Sequence, residues 1–162
     1  MAIRYLKIAL IVVVALQGLL FALQNITNLD AAFQAVAYSV GRADHAVYPE
    51  SIGPTVTSPW LVWAFLSLIL AGEFSVAGVA GSGAWKLWSA RSEDAEVFNR
   101  AKDVAILGCG LAMLVWFGGF SVIAGALFNM WQTTAGGLSL EGAFQYAGLS
   151  ALVALFVNMT DH

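Results

Sequence analysis

The sequence predicts an all-α membrane protein: an up-down-up-down bundle of four spanning helices, with a structured outer loop between the first and second. Of its 162 residues, 60% are hydrophobic and 10% are charged, whereas soluble domains carry roughly 25% charged residues. Four apolar runs follow one another at about 6–25, 60–85, 104–130 and 142–159. Each is long enough to cross the roughly 30 Å hydrocarbon core. The chain length suits one domain over 1–162.

The basic residues predict the orientation of the spans. Six of the seven lie before the first span or between the second and third, and only Arg42 lies on the other side. The positive-inside rule therefore places both termini in the cytoplasm of a bacterial inner membrane, with the 28–58 and 131–141 connections outside. A net charge of −3 without a basic cluster excludes a nucleic-acid-binding surface. The predicted partners are the lipid bilayer and either another protein or further copies of this chain.

The first outer connection predicts a short helix, which Asn28 or Asp30 can cap. Its apolar residues recur at helical spacing, which favours an amphipathic helix lying at the outer surface. These residues are Phe33, Val36, Ala37 and Val40. Pro59 is well placed to begin the second span, because proline is favoured in the first turn of a helix.

The other two connections contain capping signals. Ser92 is a predicted N-cap before the third span, and Glu96 and Arg100 have the spacing of an i,i+4 ion pair. Ser139, after a pair of glycines, is the predicted cap of the fourth span. The third span is therefore expected to extend a turn or two into the cytoplasm.

Small residues predict where the second and third spans pack together, since helices in lipid approach closely where side chains are small. On the second span they are Ala71, Ser75, Ala77 and Gly81. On the third span they are Gly108, Ala112, Gly118, Ser121 and Gly125.

Glu73 is an acid at the centre of an apolar run, thirteen residues from both Trp60 and Lys86. A carboxylate at this depth is costly, so Glu73 is expected to be protonated at neutral pH unless it is paired or hydrated. Counting residues from the span ends places Gln17, Trp116 and Ser150 at a similar depth, where they could hydrogen-bond the carboxyl group. The favoured interpretation is a neutral acid that ties the helices together. The alternative is a carboxyl that handles protons or cations, or that contacts a quinone or a partner helix.

A second set of polar residues lies near the predicted outer interface. Helix capping and headgroup contact explain it best, and a small-ligand or partner site is the alternative. The set comprises Asn25, Asn28, Asp30, Asn129, Trp131 and Gln132. His45 is interpreted as an interfacial surface residue rather than a shared metal or haem ligand, so the predicted metal and cofactor content is none. Motifs of nucleophilic, nucleotide-binding or zinc enzymes are absent.

The chain resembles a proteobacterial family of predicted small integral membrane proteins, four-span proteins carried as a domain of unknown function. The resemblance rests on five short segments spread over most of the chain. They are Asn25-Ile26-Thr27-Asn28-Leu29-Asp30, Gly72-Glu73-Phe74, Trp116-Phe117-Gly118-Gly119, Met130-Trp131-Gln132 and Asn158-Met159. It implies an inner-membrane location and supplies no catalytic residues.

Three functional hypotheses follow from the sequence. The first is a non-enzymatic small subunit or accessory factor of a membrane complex, with energy-transducing complexes as the example considered. The second is a proton-coupled transporter of a small solute that works as an oligomer, with Glu73 as the coupling carboxylate. A lipid- or quinone-handling membrane enzyme is the third and weakest.

Overall fold

A computed structural model of the protein describes residues 1–48 and 50–161. The helices are α1 (Ala2–Thr27), α2 (Leu29–Val40), α3 (Pro59–Ser89), α4 (Ala95–Arg100), α5 (Lys102–Met113) and α6 (Thr134–Asn158). α5 continues as a π-helix over Leu114–Leu127, and a 3-10 turn covers Met130–Gln132. Within the described ranges there is no strand, and the predicted all-α class is confirmed.

Four helical segments are long and apolar enough to cross a membrane: α1, α3, the segment Ala95–Leu127 and α6. We call Ala95–Leu127 the third span. Each segment packs on the one before it, so the chain forms the predicted four-helix bundle of an integral membrane protein. We call the end that contains both termini the terminal end, and the end that contains residues 41–58 and 128–133 the loop end.

The fourth helix begins earlier than predicted. α6 begins at Thr134, eight residues before the expected start at 142. Thr133, not Ser139, is its N-cap, because the Thr133 Oγ1 atom accepts a hydrogen bond from the Gly136 N–H at 3.0 Å. The third span ends at Leu127 rather than at 130, because Asn129 adopts a left-handed conformation with φ of 55° and turns the chain.

The predicted short helix of the first outer connection is present as α2, which follows α1 after a single non-helical residue, Asn28. The Phe33 ring packs on Trp63 of α3, with ring centroids 4.8 Å apart. Val40 is buried in a cluster with Val62 and Phe128. The apolar side of α2 therefore covers the loop end of the bundle. Its predicted position at the membrane surface stays a prediction.

At the terminal end, α4 begins after Asp94 rather than after the predicted cap Ser92. The Asp94 Oδ1 atom accepts a hydrogen bond from the Val97 N–H at 2.9 Å. One turn further on, the predicted pair between Glu96 and Arg100 is formed on the exposed side of α4.

Glycines set the distance between α3 and the third span. A Cβ added at Gly83 would lie 2.5 Å from Ala105 Cα, and one added at Gly108 would lie 2.6 Å from Ala80 Cα. Since real Cβ atoms do not approach so closely, only glycine permits this crossing at both positions.

The small residues predicted for this crossing are distributed over several surfaces. Gly108 lies at the crossing, and Ala112 is buried one turn further along the third span. Gly81 instead faces Ala15 of α1, and Gly125 packs on Leu140 of α6. Ala71 and Ser75 border a cavity, since α3 and the third span separate towards the loop end. A Cβ at Gly118 would meet no atom within 4 Å. Ala77 and Ser121 are half-buried.

Candidate functional site

The carboxyl group of Glu73 is held by Asn25. The Asn25 Nδ2 atom lies 3.1 Å from Glu73 Oε1 and 3.0 Å from Oε2, so the amide donates to both carboxyl oxygens. The Glu73 side chain is only 1% exposed, and it lies fourteen residues from the start of α3 and sixteen from its end. A buried acid near the middle of the span is therefore satisfied by a neutral amide on the neighbouring helix.

The helix geometry explains why these two residues meet. α1 and α3 are antiparallel and touch at Gly18, where an added Cβ would lie 2.7 Å from the Glu73 carbonyl oxygen. Side chains lean towards the N-terminus of their helix. The Glu73 side chain therefore leans towards the loop end and that of Asn25 towards the terminal end, and the two groups meet between the helices.

The three residues predicted beside Glu73 have other surroundings. Gln17 Nε2 and Ser150 Oγ are both buried without a hydrogen-bond partner in the part of the chain that the structure describes. The Trp116 ring packs between Phe21 and Tyr146, with ring centroids at 6.0 Å and 5.8 Å. Equal depth along a helix places residues at one level without bringing them together, because each can face a different neighbour.

A cavity of about 670 Å³ lies next to Asn25. α3 and the third span are in contact at Gly72, where an added Cβ would lie 2.8 Å from Val115. Towards the loop end they separate, and the cavity is lined by residues between 65 and 75 of α3 and between 111 and 124 of the third span. Towards the loop end, the rings of Phe65 and Phe128 meet with centroids 5.8 Å apart. α2 provides a further wall, and the volume is typical of small-molecule sites.

Three of the predicted outer-rim residues bond or pack against the connection between α2 and α3 at the loop end. Gln132 Oε1 accepts hydrogen bonds from the N–H groups of Val47 at 2.8 Å and Tyr48 at 3.0 Å. Trp131 stacks edge-on against Tyr48, with ring centroids 5.1 Å apart. Asn129 Nδ2 donates to Ser51 Oγ at 2.9 Å.

The other outer-rim residues are separate from this group. Asn25 belongs with Glu73, Asn28 donates through its side chain to Gln24 O, and Asp30 is exposed in the first turn of α2. The predicted rim therefore consists of separate parts: residues that bond the connection between α2 and α3, the break between α1 and α2 at Asn28, and the hydrogen-bond partner of Glu73.

A charged cluster at the terminal end was not predicted from the sequence. Lys7 Nζ lies 2.5 Å and Lys102 Nζ 2.6 Å from Asp161 Oδ2, and both lysine side chains are at most 3% exposed. Asn99 bonds the backbone of Asp161, with its Nδ2 donating to Asp161 O and its Oδ1 accepting from Asp161 N. The only signal in the sequence was an acid just beyond the last span.

The electrostatics of this cluster favour the ionised form of Asp161. Burial would raise the pKa of this carboxyl, but the hydrogen bonds and positive charges of Lys102 and Lys7 outweigh it and hold the pKa below its ordinary value of 3.8. The cluster connects α1, the third span and the segment after α6, so it fastens three parts of the bundle.

The exposed side of α6 has polar residues where a lipid-facing surface is expected. Gln145 is exposed, eleven residues after the start of α6 and thirteen before its end, and Glu141 is exposed one turn away. Added Cβ atoms at Gly137 and Gly148 would meet nothing within 4 Å. The spacing of these four residues places them on one side of the helix.

No group of three or more His, Cys, Asp or Glu side chains suited to a metal ion occurs among the described residues. His45 lies in the connection between α2 and α3, with its Nδ1 atom 2.9 Å from Ala43 O. Cys109, the one cysteine, is buried in the core.

Comparison with known protein families matches residues 3–160 to a family model described as predicted small integral membrane protein (DUF2165). The search of curated proteins returned no match. The search of solved structures likewise returned none.

Proposed function

The chain belongs to this family of predicted small integral membrane proteins, and we propose that it is a non-enzymatic subunit or accessory factor of a larger membrane complex. The observation that carries the proposal is Gln145. It is exposed on α6, about 17 Å from the start of the helix at 1.5 Å per residue. A carboxamide that faces hydrocarbon lacks water to bond, so a hydrogen-bonding group on another helix would stabilise it.

The surroundings of Gln145 support a helix as its partner. Gly137 and Gly148 leave open space on the same side of α6, so another helix could approach the backbone closely there. Glu141 adds an acidic group nearer the loop end. A partner helix with a hydrogen-bond donor at the depth of Gln145 would complement this face. We propose energy-transducing membrane complexes as the first class to test for such a partner.

Affinity isolation in mild detergent tests the proposal. We expect the wild-type protein to elute with a stable partner, and Gly148→Leu to lower the partner yield about tenfold by keeping the helices apart. Gly110→Leu is the matched control, because an added Cβ there also meets nothing within 4 Å but lies on the third span. A protein that always elutes alone would contradict the proposal.

Photo-cross-linking locates the contact in the cell membrane. A photoreactive residue at Leu149, which is 60% exposed beside Gln145, is expected to cross-link to a polypeptide of defined mass. The same residue at Leu107, 58% exposed on the third span, should cross-link to lipid alone. A product of twice the monomer mass would identify the partner as a second copy of this chain.

A proton-coupled transporter is the second candidate, because Asn25, which holds Glu73, lies on the wall of the cavity. In this mechanism Glu73 would exchange its proton through a rearrangement of Asn25. Glu73→Gln distinguishes the two roles: loss of transport in a protein that still folds and assembles supports the transporter, and an unchanged phenotype leaves Glu73 a structural role. A lipid- or quinone-handling enzyme remains the weakest proposal, with the same cavity as its candidate site.

The proposed location is the bacterial inner membrane with both termini in the cytoplasm, based on the distribution of lysine and arginine. Reporter fusions after α6 and within residues 41–48 test it. A reporter active only in the cytoplasm should work at the first position and fail at the second. The reverse result would invert the topology.

A further inference from the structure

The cavity between α3 and the third span has a mostly apolar wall. It extends over residues 65–75 of α3, about 15 Å at 1.5 Å per residue. Most of its lining is aliphatic or aromatic, from Leu66 and Ile69 to Phe120 and Ile123. The occupant must therefore be largely apolar, and in a spanning segment the bilayer itself is the nearest source of such molecules.

Each of the few polar groups on the wall directs a hydrogen-bond donor at another atom of the protein. Ser39, Ser75 and Ser139 each donate their hydroxyl proton to a backbone carbonyl in their own helix, at 2.9, 2.7 and 2.9 Å. Asn25 directs its Nδ2 atom to the carboxyl oxygens of Glu73. What remains is acceptor capacity, chiefly the Asn25 Oδ1 atom, which accepts from no described residue.

The depth of Asn25 limits the head group of the occupant. Asn25 lies two residues before the end of α1, and its side chain reaches into the bundle to Glu73, which is about 21 Å along α3 from its start at Pro59. A phosphate or ammonium group at that depth would lose its hydration, and the apolar wall offers no counter-charge among the described residues. A small uncharged head group fits, provided that it can donate a hydrogen bond.

We propose that this cavity binds a neutral single-chain amphiphile of the membrane, with its apolar tail between α3 and the third span and its hydroxyl group donating to Asn25 Oδ1. The donor-poor wall selects alcohols and phenols over ketones, esters and ethers, which can only accept. This site is on a different face from Gln145, so it does not depend on the proposed partner contact.

Photoaffinity labelling of the purified protein in nanodiscs tests the site. The probe is a tetradecanol analogue with a diazirine in its chain, and the labelled residues are mapped by mass spectrometry. We expect labels on the cavity walls, in segments 65–69 and 119–124. Unlabelled tetradecanol should compete about tenfold more strongly than tetradecyl methyl ether, which has the same chain but no donor.

Two neighbouring glycines provide a matched pair of variants. Gly119 lines the cavity and Gly118 does not, and an added Cβ meets nothing within 4 Å at either position. Gly119→Leu should fill part of the cavity and lower labelling about tenfold, while Gly118→Leu should leave it unchanged. Both proteins must elute and melt like the wild type.

Labelling spread evenly over the lipid-facing helices, or equal labelling of the two glycine variants, would overturn the site. Equal competition by the alcohol and the ether would overturn the hydroxyl class of ligand. If Gly119→Leu fails to fold, the label map and the competition in the wild-type protein still decide both points.

Discussion

At the scale of single residues, the hydrogen bonds from Asn25 to Glu73 explain how a buried carboxyl group is stabilised. A buried carboxyl group in the middle of a spanning segment needs a partner, and here a neutral amide supplies it without adding a second charge. The bond joins α1 to α3 through side chains at a place where Gly18 already brings the two backbones together.

Replacing Asn25 by leucine should destabilise the protein by about 1–3 kcal/mol, because the Glu73 carboxyl would remain buried without a partner. Thermal unfolding in detergent measures this loss. Gln24→Leu is the control: this neighbouring amide is exposed, so its replacement should change stability little. Equal effects of the two substitutions would show that the bond to Glu73 contributes nothing.

Residue counting from the sequence found Glu73 but chose the wrong neighbours for hydrogen bonding. It placed Gln17, Trp116 and Ser150 at a similar depth, but depth says nothing about the direction in which a side chain faces. Asn25 was assigned to the outer rim because it lies near the end of α1. Its contact with Glu73 depends on the stagger of two antiparallel helices, which only their packing determines.

The lowered pKa of Asp161 predicts how the stability of the folded protein depends on acid pH. Its pKa is lowered in the folded protein, so it contributes stability above its unfolded pKa of about 4, and that stability is lost as pH falls through the folded pKa. Melting temperature should therefore fall steeply below pH 4 in the wild type. Asp161→Asn should cost about 3 kcal/mol at pH 7, because two buried lysines lose their acid, and should flatten the acid response. An unaltered pH profile in this variant would exclude the mechanism.

At the scale of helices, the crossing of α3 and the third span depends on glycine at two positions. The sequence predicted that these helices cross closely, because small residues recur on both. It could not tell that the two tightest glycine contacts, at Gly83 and Gly108, lie in the half nearer the terminal end. Small residues that line a cavity look the same in a sequence as those that line an interface. Ala71 and Ser75 illustrate the ambiguity.

Gly108→Ala should cost about 1–3 kcal/mol, because the new methyl group would lie 2.6 Å from Ala80 and force the helices apart. Gly110→Ala, two residues away in open space, should be neutral or slightly stabilising because alanine favours helix. Chemical denaturation in mixed micelles compares the pair. A loss at Gly110 as large as that at Gly108 would refute the packing argument.

At the scale of the whole molecule, the two ends of the bundle are closed by different means. Ion pairs fasten the terminal end, whereas at the loop end backbone groups of the α2–α3 connection bond to polar side chains. The composition of the sequence predicted the four spans. The closures were not predicted, because they join residues far apart in the sequence: Lys7 and Asp161 are 154 positions apart, and Asn129 and Ser51 are 78 apart.

Gln132→Ala should increase the mobility of the segment around Val47 and Tyr48, because their N–H groups would lose the oxygen that accepts their hydrogen bonds. Amide hydrogen exchange at these two residues should rise at least tenfold, which corresponds to the loss of about 1.4 kcal/mol of local protection. Gln34→Ala, an exposed amide on α2, is the control. Unchanged exchange at both residues would mean that other contacts hold the loop.

The charged cluster of Lys7, Lys102 and Asp161 also has a consequence for biosynthesis. Lys7 and Asp161 are 154 positions apart, and Lys102 also precedes the acid in the chain, so both lysine-bearing helices are synthesised before Asp161. During that interval each lysine can stay hydrated at the membrane surface, and burial becomes favourable only once α6 is threaded and Asp161 arrives. Closure of the terminal end is thus a late event in the maturation of the protein, and it can proceed only in a chain whose last helix has been correctly inserted.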